Sequence, residues 1–263
     1  MARTENEEAF FTSVEGELIP ATHARGWWTP GMMHGRLLGG LAARALEAEH
    51  AADGLHFTRL TVDLFRNAPM APVRVETHRV RDGRRIRVAD ATVHGANGPV
   101  ARASAVLLRR GEQPPGRIPA TPPWDAPAPE ELFTPRDGAW TAWMFDEHNA
   151  SAKGGWRDDV KRRAWLREAR ELVAGEPLSP FVRAALAADT ASPLVHAGDT
   201  GLHFINADYT LCLSRLPLSD VIGLESGAHT SEEGVAVGHC TMHDSAGPIG
   251  YCMTTAVANP QPS

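Results

Sequence analysis

Two stretches of the chain alternate between apolar and polar side chains. In the first, Leu60, Val62 and Leu64 are separated by Thr61 and Asp63; in the second, Tyr209, Leu211 and Leu213 are separated by Thr210 and Cys212. A period of two predicts a strand with one face against a core and the other turned away from it. Ahead of each strand the period changes. Leu37, Leu38, Leu41 and Ala45 make a helical stripe behind Pro30-Gly31, and Phe181, Ala184, Ala185 and Ala188 make another behind Ser179-Pro180, a cap followed by a first-turn proline. After the first strand, residues 79–88 predict a hairpin turning at Asp82-Gly83, and residues 92–109 a second one turning at Asn97-Gly98-Pro99. A further strand is expected around residues 9–20.

The resemblance between the two halves goes beyond their periods. HGANGPV from His94 and HDSAGPI from His243 stand 149 positions apart. At the same offset FTRLTVDLFR (57–66) falls on NADYTLCLSR (206–215), with Arg66 on Arg215, and GMMHGRLLGGLAA from Gly31 falls on PFVRAALAADTAS from Pro180. The hairpin between them slips slightly, setting Gly83 against Gly234. Three segments at one offset indicate two copies of one unit. Between the copies, residues 111–136 carry eight prolines, too many for a sheet interior, and read as an extended crossover. The expected division is therefore a first repeat over 1–110, a linker over 111–136 and a second repeat over 137–263.

A helix followed by long antiparallel strands, twice over, is an α+β arrangement in which each sheet wraps one mostly buried helix. That is a double hotdog. Joining the two sheets edge to edge would remove two exposed strand edges, a physical reason for the duplication.

Composition narrows the function. Hydrophobic residues at 43% and charged residues at 22% suit a globular protein with a sizeable core. A net charge of −6 argues against a nucleic-acid binder. No apolar run is long enough to span a bilayer, so no membrane partner is expected. The polar start MARTENEEAFF has no apolar stretch behind a basic flank, so no secretory signal is read there. Cys212, Cys240 and Cys252 are odd in number and lack CxxC spacing, which suits reduced thiols in the cytoplasm.

GMMHGRLLGGLAARALE, RLTVDLFRNAP, KRRAWLRE, LAADTASPL, FINADYTLCLSR and HDSAGPIG together resemble the type II acyl-CoA thioesterases and the wider thioesterase-like proteins. The resemblance covers most of the chain outside the proline-rich segment. It implies hydrolysis of an acyl-CoA or other acyl thioester, with no cofactor and no metal, and a homodimer as one expected state. It also implies where catalysis sits: an Asp after the second central helix, a hydroxyl or amide residue opening the next strand, and a Gln on the last strand. By position these fall on Asp189, on Asn206, and on Thr254 or Thr255. The last is a departure, since neither residue is glutamine.

The repeat supplies a separate argument. At its offset Asp189 falls on Gly40, Asn206 on Phe57 and Thr254 on Ala105, so polar groups of the second copy meet small or apolar ones in the first. One active site per chain is expected, equipped mainly by the second repeat. An Asp near a helix end can deprotonate a water, and Asn206 can hold the carboxylate or the water. The backbone at Met33-His34-Gly35 opens the first helix, where unsatisfied N–H groups suit an oxyanion and Gly35 lets a ligand come close. His34 and Gly35 are thus candidate substrate-binding residues.

Rival readings exist. Asp189-Thr-Ala-Ser-Pro-Leu-Val-His196 is similar to the Asp/His signature of hotdog enoyl-CoA hydratases, but extra residues would turn His196 away from Asp189. A non-catalytic acyl-binding protein would explain the absent glutamine. His239, His243 and Asp244 carry metal-like letters, yet His243 repeats as His94 where no second ligand occurs, so a turn role is expected. The arginines of RDGRRIR (81–87) could reach coenzyme A phosphates, although a hairpin tip bearing arginine is ordinary.

Overall fold

The computed structural model describes residues 9–132, 140–151, 156–157 and 159–259. The reading of the first eight residues and the end of the linker, 133–136, lie outside them. Residues 9–20 form a hairpin rather than the single strand expected: β1 (Phe11–Val14) pairs with β2 (Glu17–Pro20). Glu15 and Gly16 take φ of 50° and 85°, the left-handed pair that a tight hairpin turn demands. Then come α1 (Gly35–His50), β3 (Leu55–Leu64), β4 (Arg74–Asp82), β5 (Ile86–Gly95) and β6 (Gly98–Arg109). The turn in β4–β5 is at the predicted place. That in β5–β6 is the two-residue loop Ala96-Asn97, one position earlier than expected, since Gly95 pairs with Gly98.

The proline-rich segment contains one helical turn, α2 (Pro129–Leu132), and packs Trp124 against Trp165 and flat on His243, at 4.7 and 4.3 Å between ring centres. The second half contains β7 (Trp140–Asp146), β8 (Arg162–Glu168), α3 (Pro180–Ala188), α4 (Ala191–His196), a small pair β9 (Ala197–Gly198) and β10 (Gly201–Leu202), then β11 (Phe204–Leu213), β12 (Val221–Glu232), β13 (Val235–Asp244) and β14 (Gly247–Ala258).

Among the described residues ten strands make one antiparallel sheet in the order β4-β5-β6-β3-β11-β14-β13-β12-β8-β7. The copies join at β3 and β11. There Thr61 pairs with Thr210, their hydroxyls 3.1 Å apart, while Leu60 faces Leu211 and Val62 faces Tyr209. Thr61 and Thr210 are equivalents at the repeat offset, so the seam is a self-complementary interface about a local two-fold axis. Bulges repeat too, at Phe57/Arg59 and at Asn206/Asp208.

The helices keep a different offset. α1 and α3 begin at Gly35 and Pro180, 145 apart against 149 in the strands, about one helical turn. Matched by their starts, Asp189 is the counterpart of Arg44, not of Gly40 as the sequence offset suggested. Both helices pack in one apolar core with the inner sheet face. Gly39 is small because Tyr209 crosses there: a Cβ would overlap its hydroxyl, which donates to Ala185 O at 3.0 Å.

Candidate active site

The second central helix is interrupted, and Pro193 accounts for the interruption. Without an N–H it cannot bond the carbonyl four residues back, that of Asp189, which accepts from Ser192 N at 3.3 Å instead. α3 therefore stops with Asp189 as its C-cap, and α4 restarts with Pro193 in its first turn. The carboxylate of Asp189 is left buried and directed at the start of α1: a Cβ on Gly35 would lie 3.8 and 3.9 Å from its two oxygens.

Asn206 enters from β11, just before the bulge, and donates Nδ2–H to Asp189 Oδ1 at 2.8 Å. A bulge re-aims side chains, which is how an opening residue of a strand reaches the helix end. From the first copy comes His34, the N-cap of α1, whose Nδ1 accepts from Arg36 N at 3.3 Å and lies 3.8 Å from Asp189 Oδ2. The backbone donors around it are mostly engaged, Met33 N with Ala68 O and His34 N with Ala24 O. Gly35 N–H, the first of the helix, has no acceptor among the described residues.

The electrostatics set the protonation states. Burial raises the Asp189 pKa above its ordinary value, while the Asn206 bond, the charge of Arg36 and the Arg36 backbone N–H pull it back. Burial, helped by Arg36, lowers His34 to about 3. The 3.8 Å contact is therefore between a neutral imidazole and a carboxyl group, and is not an ion pair.

Asp189, Asn206 and His34 stand where two chambers meet. The smaller, about 240 Å³, is walled by Met33, Leu38, Leu64, Ile205 and Val257. The larger, about 500 Å³, is walled by Phe10, Met144, Trp156 and Leu202. Trp27 and Trp28 border both.

Thus the structure brings Asp189, Asn206, His34 and Gly35 together. It does not bring Thr254 to them. That hydroxyl is fully buried and bonds His196 Nε2 at 3.0 Å, and His196 Nδ1 bonds His229 Nδ1 at 2.8 Å, beside a third cavity. Thr255 lies on the opposite face, bonded to Asp208. His196 accordingly turns away from Asp189, as the extra residues between them suggested. His243 pairs with Glu225 at 3.2 Å, and its counterpart His94 with Glu76 at 3.4 Å, so the repeated histidine closes a hairpin-end contact in both copies.

Sequence reasoning missed Arg36, which is buried and donates to Glu168 at 2.7 Å. A signal was present: an arginine in a first helical turn opposes the helix dipole and needs an anion nearby.

Models of two families match the sequence: an acyl-CoA thioesterase N-terminal domain over residues 24–108 and an acyl-CoA thioesterase C-terminal domain over 115–258. No curated protein matches the sequence. Among solved structures, a hot dog fold protein of unknown function from Alicyclobacillus acidocaldarius aligns with TM-score 0.71, 17% identity and 100% of both chains. The tesB protein of Mycobacterium avium subspecies paratuberculosis aligns with TM-score 0.65, 17% identity and 93% of each chain. Acyl-CoA thioesterase II TesB2 from Mycobacterium marinum aligns with TM-score 0.59 and 16% identity over 87% of this chain and 91% of its own. At these identities the solved structures speak for the double hotdog fold.

Proposed function

This chain belongs to the acyl-CoA thioesterase family, and from that premise we propose that it hydrolyses the thioester of acyl-CoA, or of another pantetheine-borne acyl group, where α1 begins and α3 ends. Ionised Asp189 takes a proton from a water as the water oxygen attacks the carbonyl carbon. The carbonyl electron pair moves onto its oxygen, which meets Gly35 N–H and the positive end of the helix. When the C=O bond re-forms, the carbon–sulfur bond breaks, and the proton held on Asp189 passes to sulfur. A free acid and a thiol leave. Asn206 keeps the carboxylate in place and favours its ionised form by donating to it; neutral His34, its Nδ1 held by Arg36 N–H, stands beside it.

The observation that supports this reading is one buried carboxyl, its pKa raised, facing an unengaged helix-start N–H across an open cleft. The test is thiol release from a panel of acyl-CoA substrates by wild type and Asp189→Ala. Wild type is expected to turn over, and the variant to lose about 10²–10⁴ in kcat. Equal turnover by both would discard Asp189 as the base. Threonines at the glutamine position favour a second reading, a non-catalytic acyl-binding protein; binding without turnover on every substrate would select it. The three free thiols favour a cytoplasmic setting.

A further inference from the structure

The two copies carry an arginine at the same place, two residues past the seam strand, and treat it in opposite ways. Arg215 gives both terminal nitrogens to the buried carboxylate of Asp244, at 2.6 and 2.7 Å, and one of them also to Gly247 O at 3.1 Å. Its equivalent, Arg66, has Gly95 where Arg215 has Asp244. Among the described residues Arg66 has no hydrogen-bond or ion-pair partner, and it is exposed at the smaller chamber with Asn67 beside it.

The position matters. Leu64 Cδ1 lies 3.2 Å from where a Gly35 Cβ would be, next to the Asp189 carboxylate. Arg66 follows two residues on, at a bend after β3, and lines the same chamber as Leu64. At the hairpin tip Arg79 and Arg87 converge on Asp82. In the larger chamber Arg36 is bonded to Glu168 and Arg170 lies over the Phe10 ring at 5.0 Å, while Arg25 on its rim is exposed, its side chain without a partner among the described residues, and is the rival site.

We propose that Arg66, with Asn67, binds the phosphate at the end of the pantetheine arm, so that the acyl group lies in the larger chamber. A thioester held at the Asp189 waist must send its two arms into different chambers. The arm that carries phosphate goes to a guanidinium fork that loses no internal partner, and at Arg66 that fork has the Asn67 amide beside it to share the phosphate oxygens. This rests on the thioesterase reading. Phosphorylated pantetheine is common to coenzyme A and to acyl-carrier proteins.

The test compares one acyl group on coenzyme A, on 4′-phosphopantetheine and on pantetheine, with wild type, Arg66→Ala, Arg66→Lys and Arg25→Ala. Arg25 is an exposed arginine on the rim of the larger chamber. In Arg66→Ala, KM is expected to rise about tenfold for both phosphorylated substrates, with kcat unchanged because a remote contact binds ground and transition states alike. KM for acyl-pantetheine stays as in wild type, and Arg66→Lys recovers part of the loss. An equal change on all three substrates, no change on any, or a phosphate-dependent loss in Arg25→Ala instead would overturn the proposal. Calorimetry with free coenzyme A separates this from the thioesterase reading: the affinity should fall about tenfold in Arg66→Ala whether or not any thioester is cleaved.

Discussion

The local two-fold axis creates two junctions where the start of one central helix meets the other helix; both border a cavity, and they are equipped differently. At the first, His34-Gly35-Arg36 faces Asp189 and Asn206. At the second, Ser179-Pro180-Phe181 faces Arg44, Glu47 and Phe57. There Phe57, the strand equivalent of Asn206, stacks on Phe181 with ring centres 4.3 Å apart. Ser179 donates its hydroxyl to Glu47 and accepts from Val182 N at 3.1 Å, while Arg44 forks onto Glu176 at 2.5 Å. Charged groups are no scarcer at the second junction. They differ in their partners: Arg44 is neutralised by Glu176 and Glu47 is held by the Ser179 hydroxyl, whereas the buried carboxyl at the first has the Asn206 amide, a neutral ring and the start of α1 with Arg36 beside it.

The largest expected effect follows directly. Asp189→Asn should lower kcat by about 10²–10⁴, with thermal stability equal or higher because a buried carboxylate no longer has to be desolvated. Glu47→Gln, at the other junction, should leave kcat unchanged and the melting temperature equal or higher, since burial raises that carboxyl's pKa as well. Thiol-release kinetics and thermal denaturation of the two variants decide this. A comparable loss of kcat in both would make the junctions equivalent.

Next in size is the exchange of strand residues. Asn206→Phe writes the first-copy residue into the cleft and should lower kcat/KM about 100-fold by filling it. Asn206→Ala tests a subtler property. A base must be ionised, so kcat/KM rises with pH through the Asp189 pKa, which burial has raised. Asn206 opposes that rise by donating to the ionised form. Without the donor the pKa climbs further, the acid limb moves to higher pH, and rates below it fall about tenfold. An acid limb in the same place as wild type would show that the amide is not felt by the reacting carboxyl.

Much of this was legible from residue order. Period-two alternation located β3 and β11, and the repeat offset turned out to be the separation of two residues that face each other on the symmetry axis, Thr61 and Thr210. The helix register was not legible, because one turn of slippage leaves an alanine-rich apolar stripe unchanged. Pro193 announces the break after Asp189, yet a proline in a first turn and one that ends a helix look alike in sequence. Asp189 and Asn206 were named through the family resemblance; that they touch is a property of the folded chain. The Arg36–Glu168 pair, 132 positions apart, follows from no local pattern.

A smaller effect concerns acid stability. His34 is lowered to about 3 and His196 to about 4, both chiefly by burial. Above pH 6.5 both are neutral folded or unfolded, so nothing is lost. Between pH 6.5 and those values the unfolded chain takes up protons that the folded chain refuses, and stability falls as pH drops. Asp189 acts the other way, since a raised carboxyl pKa makes the folded state the better proton acceptor just below that pKa. His34→Asn keeps a good N-cap and removes one refusing group. Its melting temperature should therefore decline less than that of wild type between pH 6.5 and 4, and a parallel decline would show that His34 titrates normally.

The smallest expected effect bears on the residue at the glutamine position. Neutral His196 has one N–H and one bare nitrogen, and it has a partner for each: His229 on one side and the Thr254 hydroxyl on the other. Thr254→Val keeps nearly the same shape and removes the hydroxyl, leaving the inner nitrogen of a buried ring unpaired. That should cost about 1 kcal/mol of stability and leave kcat unaltered, because neither Asp189 nor Asn206 is bonded to Thr254. Denaturant titration and thiol release read the two quantities separately. A loss of kcat as large as that of Asn206→Ala, at unchanged stability, would return Thr254 to the reacting groups and make the cleft at α1 and the His196 cavity parts of one site.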